Sequence, residues 1–262
     1  MNNMIKILAL FSGCISFLAL PHIVYAESSN QYDWSGGYIG GSLGALHGKS
    51  SYDASTRDSF PGSYFTTPDA AQISDEANKS SSQSRLSAGI FGGYGEQYDN
   101  LYIGVEAGIN SLSVDDSSTS GAAYISQPTA RFTNKISIKA DWQATLRARL
   151  GWTNNRWLTY VNGGIAAAKI RVAGAYSDNF LGAAYGYNSE QETKLGWTLG
   201  VGSEYALSDN WTIRGEYSYT DYGDVDTKSV VRNSSFPNLS NNLKSSVELK
   251  THIVSLGISY SF

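Results

Sequence analysis

The chain is poor in the residues that mark small secreted scaffolds and metal-binding domains. It has 1 Cys, 3 His and 5 Pro in 262 residues, and only 16% of its residues are charged. One cysteine excludes a disulfide framework, and so few Cys and His exclude the clustered ligand sets of structural zinc. Lys and Arg number 19 against 23 Asp and Glu, a formal charge of −4 that argues against a nucleic-acid surface. Beyond Ala26 no uncharged run is long enough to cross a bilayer as a helix. What the chain does have is 27 Gly, 18 Tyr and a 41% apolar share, too much for a disordered polymer.

The N-terminus reads as a secretory signal peptide. Lys6 supplies the positive start, Ile7 to Leu20 is uncharged, Pro21 breaks a helix, and Val24-Tyr25-Ala26 places small residues at the −3 and −1 positions before Glu27. An uncleaved anchor is the alternative, disfavoured by Pro21 and the cleavage pattern. Lipoprotein processing at Cys14 is another, but Phe11-Ser12-Gly13 is a poor lipobox. The expected division is residues 1–26 as signal peptide and 27–262 as a single domain.

From Trp34 onward the apolar residues alternate with period two, the signature of strands. Leu101, Ile103, Val105, Ala107 and Ile109 share one face, and Tyr102, Gly104, Glu106, Gly108 and Asn110 the other. Similar alternation covers 141–152, 195–207, 211–222 and 251–262, and weaker versions cover 35–46, 85–94 and 157–168, making eight strands. In 141–152 the inward set starts at Asp141, and a turn centred between Asn154 and Asn155 is expected to set Trp152 directly across from Trp157. The connections 95–100, 153–156 and 208–210 are tight. Those at 47–84, 113–134, 170–193 and 223–246 are long and polar, and they hold Pro61, Pro68, Pro128 and Pro237. An even number of strands about ten residues long, with short turns at one end and long loops at the other, is the plan of an all-β, eight-stranded antiparallel transmembrane up-and-down β-barrel with four long outer loops. Aromatics sort to two heights as expected of interfacial girdles: Trp34, Tyr94, Trp152, Trp157, Tyr205, Trp211, Tyr260 and Phe262 at one, Trp142, Trp197 and Tyr219 at the other. A soluble barrel or sandwich also alternates, but it has no use for girdles, and its polar face carries more Lys and Glu than this glycine-rich one.

Side chains fill an eight-stranded lumen. The charges expected inside are Glu106, Arg147, Arg149, Glu204, Arg214 and Glu216, with Glu204 opposite Arg214 about a turn centred on Asp209. A slip of one residue turns three arginines to lipid at about 2–4 kcal/mol each near the midplane, so these residues set register. No catalytic set is found: His252 and Ser255 are three apart on a strand and face opposite sides, so the expectation is a protein that is not an enzyme, without a metal or resident cofactor. His47, read as the start of the first long loop, is a weak haem-ligand candidate, with Tyr52, Tyr64, Tyr124, Tyr176, Tyr185 and Tyr187 as further loop residues of a type that holds haem iron.

Several segments are similar to a known family. Asp33-Trp34-Ser35-Gly36-Gly37-Tyr38-Ile39-Gly40-Gly41, Arg147-Ala148-Arg149-Leu150-Gly151-Trp152, Gly196-Trp197-Thr198-Leu199-Gly200-Val201-Gly202-Ser203-Glu204-Tyr205-Ala206 and Ser259-Tyr260-Ser261-Phe262 resemble the small porin-family outer-membrane β-barrel surface proteins of alphaproteobacteria. The likeness runs through the strands and not the long loops. It implies residence in the Gram-negative outer membrane among outer-membrane lipids, and a terminal signal, Ile258, Tyr260 and Phe262, read by the barrel-assembly machinery. Relatives include hemin-binding proteins, major surface antigens and porins. The resulting expectation is a surface protein whose loops recognise a ligand, hemin or a host surface molecule in adhesion; the alternative is a narrow porin for small solutes or ions.

Overall fold

In the computed structural model, residues 31–56 and 64–262 are described; the signal peptide expected at 1–26 lies outside them. Eight antiparallel strands close into a barrel in sequence order: β1 (Gly36–Ser55), β2 (Lys79–Tyr98), β3 (Leu101–Ser120), β4 (Phe132–Asn154), β5 (Trp157–Asp178), β6 (Ala184–Ala206), β7 (Trp211–Asn233) and β8 (Ser240–Ser261). A helix, α1 (Thr67–Ala77), lies in the first outer connection.

The strands run well past the expected boundaries. At 20–23 residues each they reach about 70 Å along the chain and, tilted about 45°, stand roughly 50 Å tall, against an apolar band about 25 Å high. Each long polar segment therefore divides into strand extension and loop tip, and roughly half of the wall stands outside the membrane.

Along the strands the wall reverses polarity. In the lower half of β5, Val161 and Ile165 face out while Tyr160 and Asn162 are buried inside; higher up, Ile170 and Val172 are buried inside and Lys169 and Arg171 face out. On β8, Leu256 and Ile258 face lipid, whereas Leu249 and Val247 point in behind an outward Lys250 and Glu248. The lower half is thus built for lipid outside and the upper half for water outside.

Two strands make this change with a bulge. On β4, Asp141 and Trp142 are both exposed, Ala140 and Gln143 both point in, and pairing with β5 resumes one step out of register. On β7 the same happens at Gly223, whose φ of +64° is the left-handed backbone that glycine accepts. Asp141 is therefore outside the barrel, not at the head of the inward set, because the extra residue turns its side chain over.

The tight turns also differ in detail. Trp157 pairs with Asn154 and Trp152 with Thr159, so the two tryptophans are not directly opposed. The turn sits one residue later, at Asn155-Arg156, because Asn155 takes φ +54°. Tyr160 and Asn162 still face inward. Trp34 departs from the girdle: it is buried under the barrel mouth with Tyr102, Leu158 and Tyr160, its amide donating to Gln97 Oε1 at 3.1 Å. A short chain leading into β1 can fold across the opening, where the ring leaves both water and lipid.

Glycine makes room for inward tyrosine at several places. A Cβ on Gly93 would lie 2.5 Å from the Tyr38 hydroxyl, and one on Gly202 would lie 2.5 Å from the Tyr160 hydroxyl. Gly202→Ala is expected to cost about 1–3 kcal/mol through overpacking, read as a shifted urea midpoint of tryptophan fluorescence in lipid vesicles.

Candidate functional site

The six inward charges gather at the centre of the lower half. Glu106 receives all three arginines: Arg147 Nη2, Arg214 Nη1 at 2.7 Å and Arg149 Nη1 at 3.5 Å. Arg147 also reaches Glu216 at 2.6 Å, Arg149 reaches Glu204 at 2.5 Å, and Arg214, opposite Glu204 in register, reaches it at 3.4 Å. Neutral neighbours complete the lattice. Tyr38 donates to Glu106 at 3.0 Å, Tyr160 and Asn162 donate to Glu216 at 2.8 and 3.0 Å, and the Arg214 guanidinium lies 3.6 Å from the Phe91 ring centre. Three charges of each sign cancel in a space shielded from water, where an unpaired one would be costly. The void beside them measures about 20 Å³, room for roughly one water and not for a hydrated ion.

Sequence parity placed the six charges on the inner face but gave no hint of Tyr38, Phe91, Tyr160 or Asn162 as their partners, since those contacts cross the lumen between strands that are not adjacent.

Above the charges the upper barrel holds an apolar core with Leu46, Tyr52, Leu112, Ile138, Ile170 and Val247. Helix α1 is packed onto it through Ile73 and Ala77. Asp69 of α1 accepts from Ser126 N at 3.0 Å and Gln72 donates to Ala123 O at 2.8 Å, tying the first outer connection to the second. At the top of β5 the carboxylate of Asp178 is buried. It accepts from Tyr64 at 2.8 Å, Tyr124 at 2.5 Å, Tyr176 at 3.1 Å, Phe180 N at 3.2 Å and Ala184 N at 2.9 Å. Burial, reinforced by this carboxylate, holds the Tyr64 and Tyr124 hydroxyls protonated far above the usual tyrosine range. Asp178 thus joins residues from three outer connections. Tyr52, Tyr64, Tyr124 and Tyr176, expected on exposed loops, are interior residues; they face a core that the sequence did not show to be there.

The remaining tyrosines stay outside. Tyr185 and Tyr187 are exposed on the outer face of β6, beside an open groove of about 530 Å³ bordered by Ala175, Ser177 and Lys135. Small residues on β5 form its floor because their partners in register are these two tyrosines. His47 lies within β1, not in a loop, and faces outward directly opposite His252 of β8. Its Nδ1 is 3.2 Å from Ser84 Oγ, and His252 Nδ1 is 2.7 Å from Tyr217 Oη. Ser255 points inward, so it shares no site with His252. Among the described residues no group of three or more His, Cys, Asp or Glu is positioned to hold a metal ion.

Paired rings mark two heights on the lower wall. Trp157 lies 4.8 Å from Tyr205 and Trp211 5.2 Å from Tyr260 at the turn end, and Trp197 lies 5.1 Å from Tyr219 at the other. Ile258, Tyr260 and Phe262 alternate on the outer face at the turn end. A closed β-ring with an apolar outer band between aromatic belts, and charge confined to its lumen, is an integral outer-membrane β-barrel.

Comparison with known proteins agrees. Residues 13–262 match the family described as outer membrane protein beta-barrel domain, and the chain belongs to that family. It is 33% identical over 92% of its length to the 31 kDa outer-membrane immunogenic protein of Brucella melitensis biotype 1, of which 89% is covered. It is 31% identical over 52% of its length to the 22 kDa outer membrane protein of Rhizobium leguminosarum bv. viciae, of which 53% is covered. Among solved structures it is similar to the outer membrane protein OprG of Pseudomonas aeruginosa, with 13% identity, a TM-score of 0.44, and 89% and 98% of the two chains covered. The protein resides in the Gram-negative outer membrane as a member of an alphaproteobacterial barrel family.

Proposed function

We propose that this protein is a non-conducting, non-enzymatic barrel that holds a rigid outer module above the membrane as a recognition surface, with hemin as its ligand. The observation that carries the reading is the double closure of the interior, by the ion lattice within the membrane and by the apolar core with α1 above it. Such a lumen supports anchoring over the porin alternative. Relatives named as outer-membrane immunogenic proteins support an exposed outer half. Hemin is favoured by the groove at Tyr185 and Tyr187. A flat ring system can lie on its Ala175 and Ser177 floor, a tyrosine oxygen can hold the iron, and Lys135 can meet a propionate. His47 is the competing ligand, and contact with a host surface molecule would use the same outer half.

Two measurements test this. Planar-bilayer recording of the refolded protein is expected to show no discrete conductance steps; reproducible steps overturn the closed lumen. Adding hemin is expected to shift its Soret band, with the shift lost in the Tyr185→Phe, Tyr187→Phe double variant and kept in His47→Ala. The reverse pattern moves the ligand to His47, and no shift in the unmodified protein removes hemin.

A further inference from the structure

We infer that His47 and His252 together form a site for a divalent transition-metal ion of the Ni²⁺, Cu²⁺ or Zn²⁺ type on the outer wall, at the level of the upper aromatic belt. The two residues are direct partners across β1 and β8, and their ring centres are 6.4 Å apart. Rings that share one tetrahedral ion at about 2.0–2.1 Å from each nitrogen sit roughly 5 Å apart. Closure therefore asks for about 1 Å of rotation by two part-exposed rings on fixed backbones.

The hydrogen-bond partners suit one tautomer. Each Nδ1 lies beside a hydroxyl, Ser84 Oγ for His47 and Tyr217 Oη for His252, and hydroxyl oxygen accepts from an Nδ1–H. The Nδ1–H tautomer, which the inferred site requires, leaves both Nε2 lone pairs available, and a hydroxyl on the far nitrogen is the kind of support that orients metal-binding imidazoles. Neither Nε2 has a hydrogen-bond partner among the described residues. The Tyr219 ring, 5.0 Å from the His252 ring, limits its swing away from His47.

Charge around the pair is balanced. Lys49 and Lys250 face each other on the next rung outward, and each carries the sign that repels a cation. Glu248 pairs with Lys250, and Asp221 lies 3.8 Å from the same ammonium, so two carboxylates offset two ammonium groups. A dication thus meets two imidazoles in a locally neutral frame. Imidazole donors suit borderline cations, and two of them leave the other positions to water. Calcium and magnesium, which want oxygen, are excluded by the same chemistry.

The site does not depend on hemin, and the test uses metal alone. Folded protein without a polyhistidine tag, in lipid nanodiscs, is titrated with Ni²⁺. One site is expected, weakened in His47→Ala and in His252→Ala by at least the roughly 10–100-fold that loss of an outer-shell partner costs, with the double variant weaker than either. With Cu²⁺, paramagnetic resonance is expected to show coupling to two imidazole nitrogens, falling to one in each single variant. Heat-modifiable gel migration checks folding, and His47→Gln and His252→Gln replace any alanine variant that fails it. Unchanged Ni²⁺ affinity in either folded single variant, or coupling to a single nitrogen in the unmodified protein, overturns the inference.

Discussion

Glu106→Gln is expected to destabilise the barrel by roughly 3–5 kcal/mol, the largest effect of any single change in the lumen. Glu106 is the one carboxylate that touches all three arginines, and its side chain is fully enclosed. The substitution keeps volume and removes one negative charge, leaving three guanidinium groups against Glu204 and Glu216. None can reach water, so the excess charge is carried by the folded state alone. Urea unfolding in vesicles, followed by tryptophan fluorescence and by gel migration, measures the loss. Removing a positive partner at the same time restores neutrality, so Glu106→Gln with Arg214→Met should lose well under the sum of the two single losses. A strictly additive double variant would mean that the lattice acts as separate contacts.

Asp178→Ala should act on the opposite half of the molecule. It strips a buried acceptor from three tyrosine hydroxyls and two backbone amides, at about 1–3 kcal/mol for each group left unpaired, though Tyr124 and Tyr176 can still bond to each other and Tyr64 keeps the Phe180 carbonyl. The expected outcome is local: the first, second and third outer connections open, while the membrane half keeps its belts and its ion lattice. Hydrogen exchange should rise at 64–78, 121–131 and 179–184 with exchange in the lower strands unchanged, and limited proteolysis should cut those segments in intact cells. Asp178→Asn, which retains one acceptor oxygen, should show a smaller version of the same pattern. Faster exchange throughout the barrel would show that the outer module and the membrane ring unfold as one unit.

These two predictions differ in how far the sequence could have led to them. Glu106 sits in an unbroken alternation between Leu101 and Asn110, so its inward direction was legible from period two. Its three partners were legible as inward residues and not as its partners: the register of β3 against β4 sets Arg147 and Arg149 beside it, and Arg214 of β7 meets it only across the closed lumen. Asp178 was not legible at all. It lies in a polar stretch that reads as loop, and its burial follows from β5 continuing to the top of the barrel and from Tyr64 and Tyr124 arriving from connections far away in the chain.

The reversal of polarity shows the same division. On β1, β3, β5 and β8 the apolar positions change parity along the sequence, as from Ile165 to Ile170 or from Ile253 to Val254, so each residue's parity already encodes both halves of the wall. On β4 and β7 the parity never changes. Phe132, Ile136 and Ile138 fall on the same even positions as Leu146 and Leu150, yet the first three are inside and the last two outside. There the bulges at Asp141-Trp142 and Gly223 make the exchange.

The sequence by itself determined the strand count, the order, the lipid-facing set of the lower half and the sign balance of the lumen, because period two and the cost of charge in lipid act on neighbouring residues. The height of the wall, the apolar core above the membrane, the burial of Asp178 and the meeting of His47 with His252 were decided only in the closed barrel. Each depends on residues brought together across strands, and local alternation carries no information about which strand stops where or which connection folds over the top.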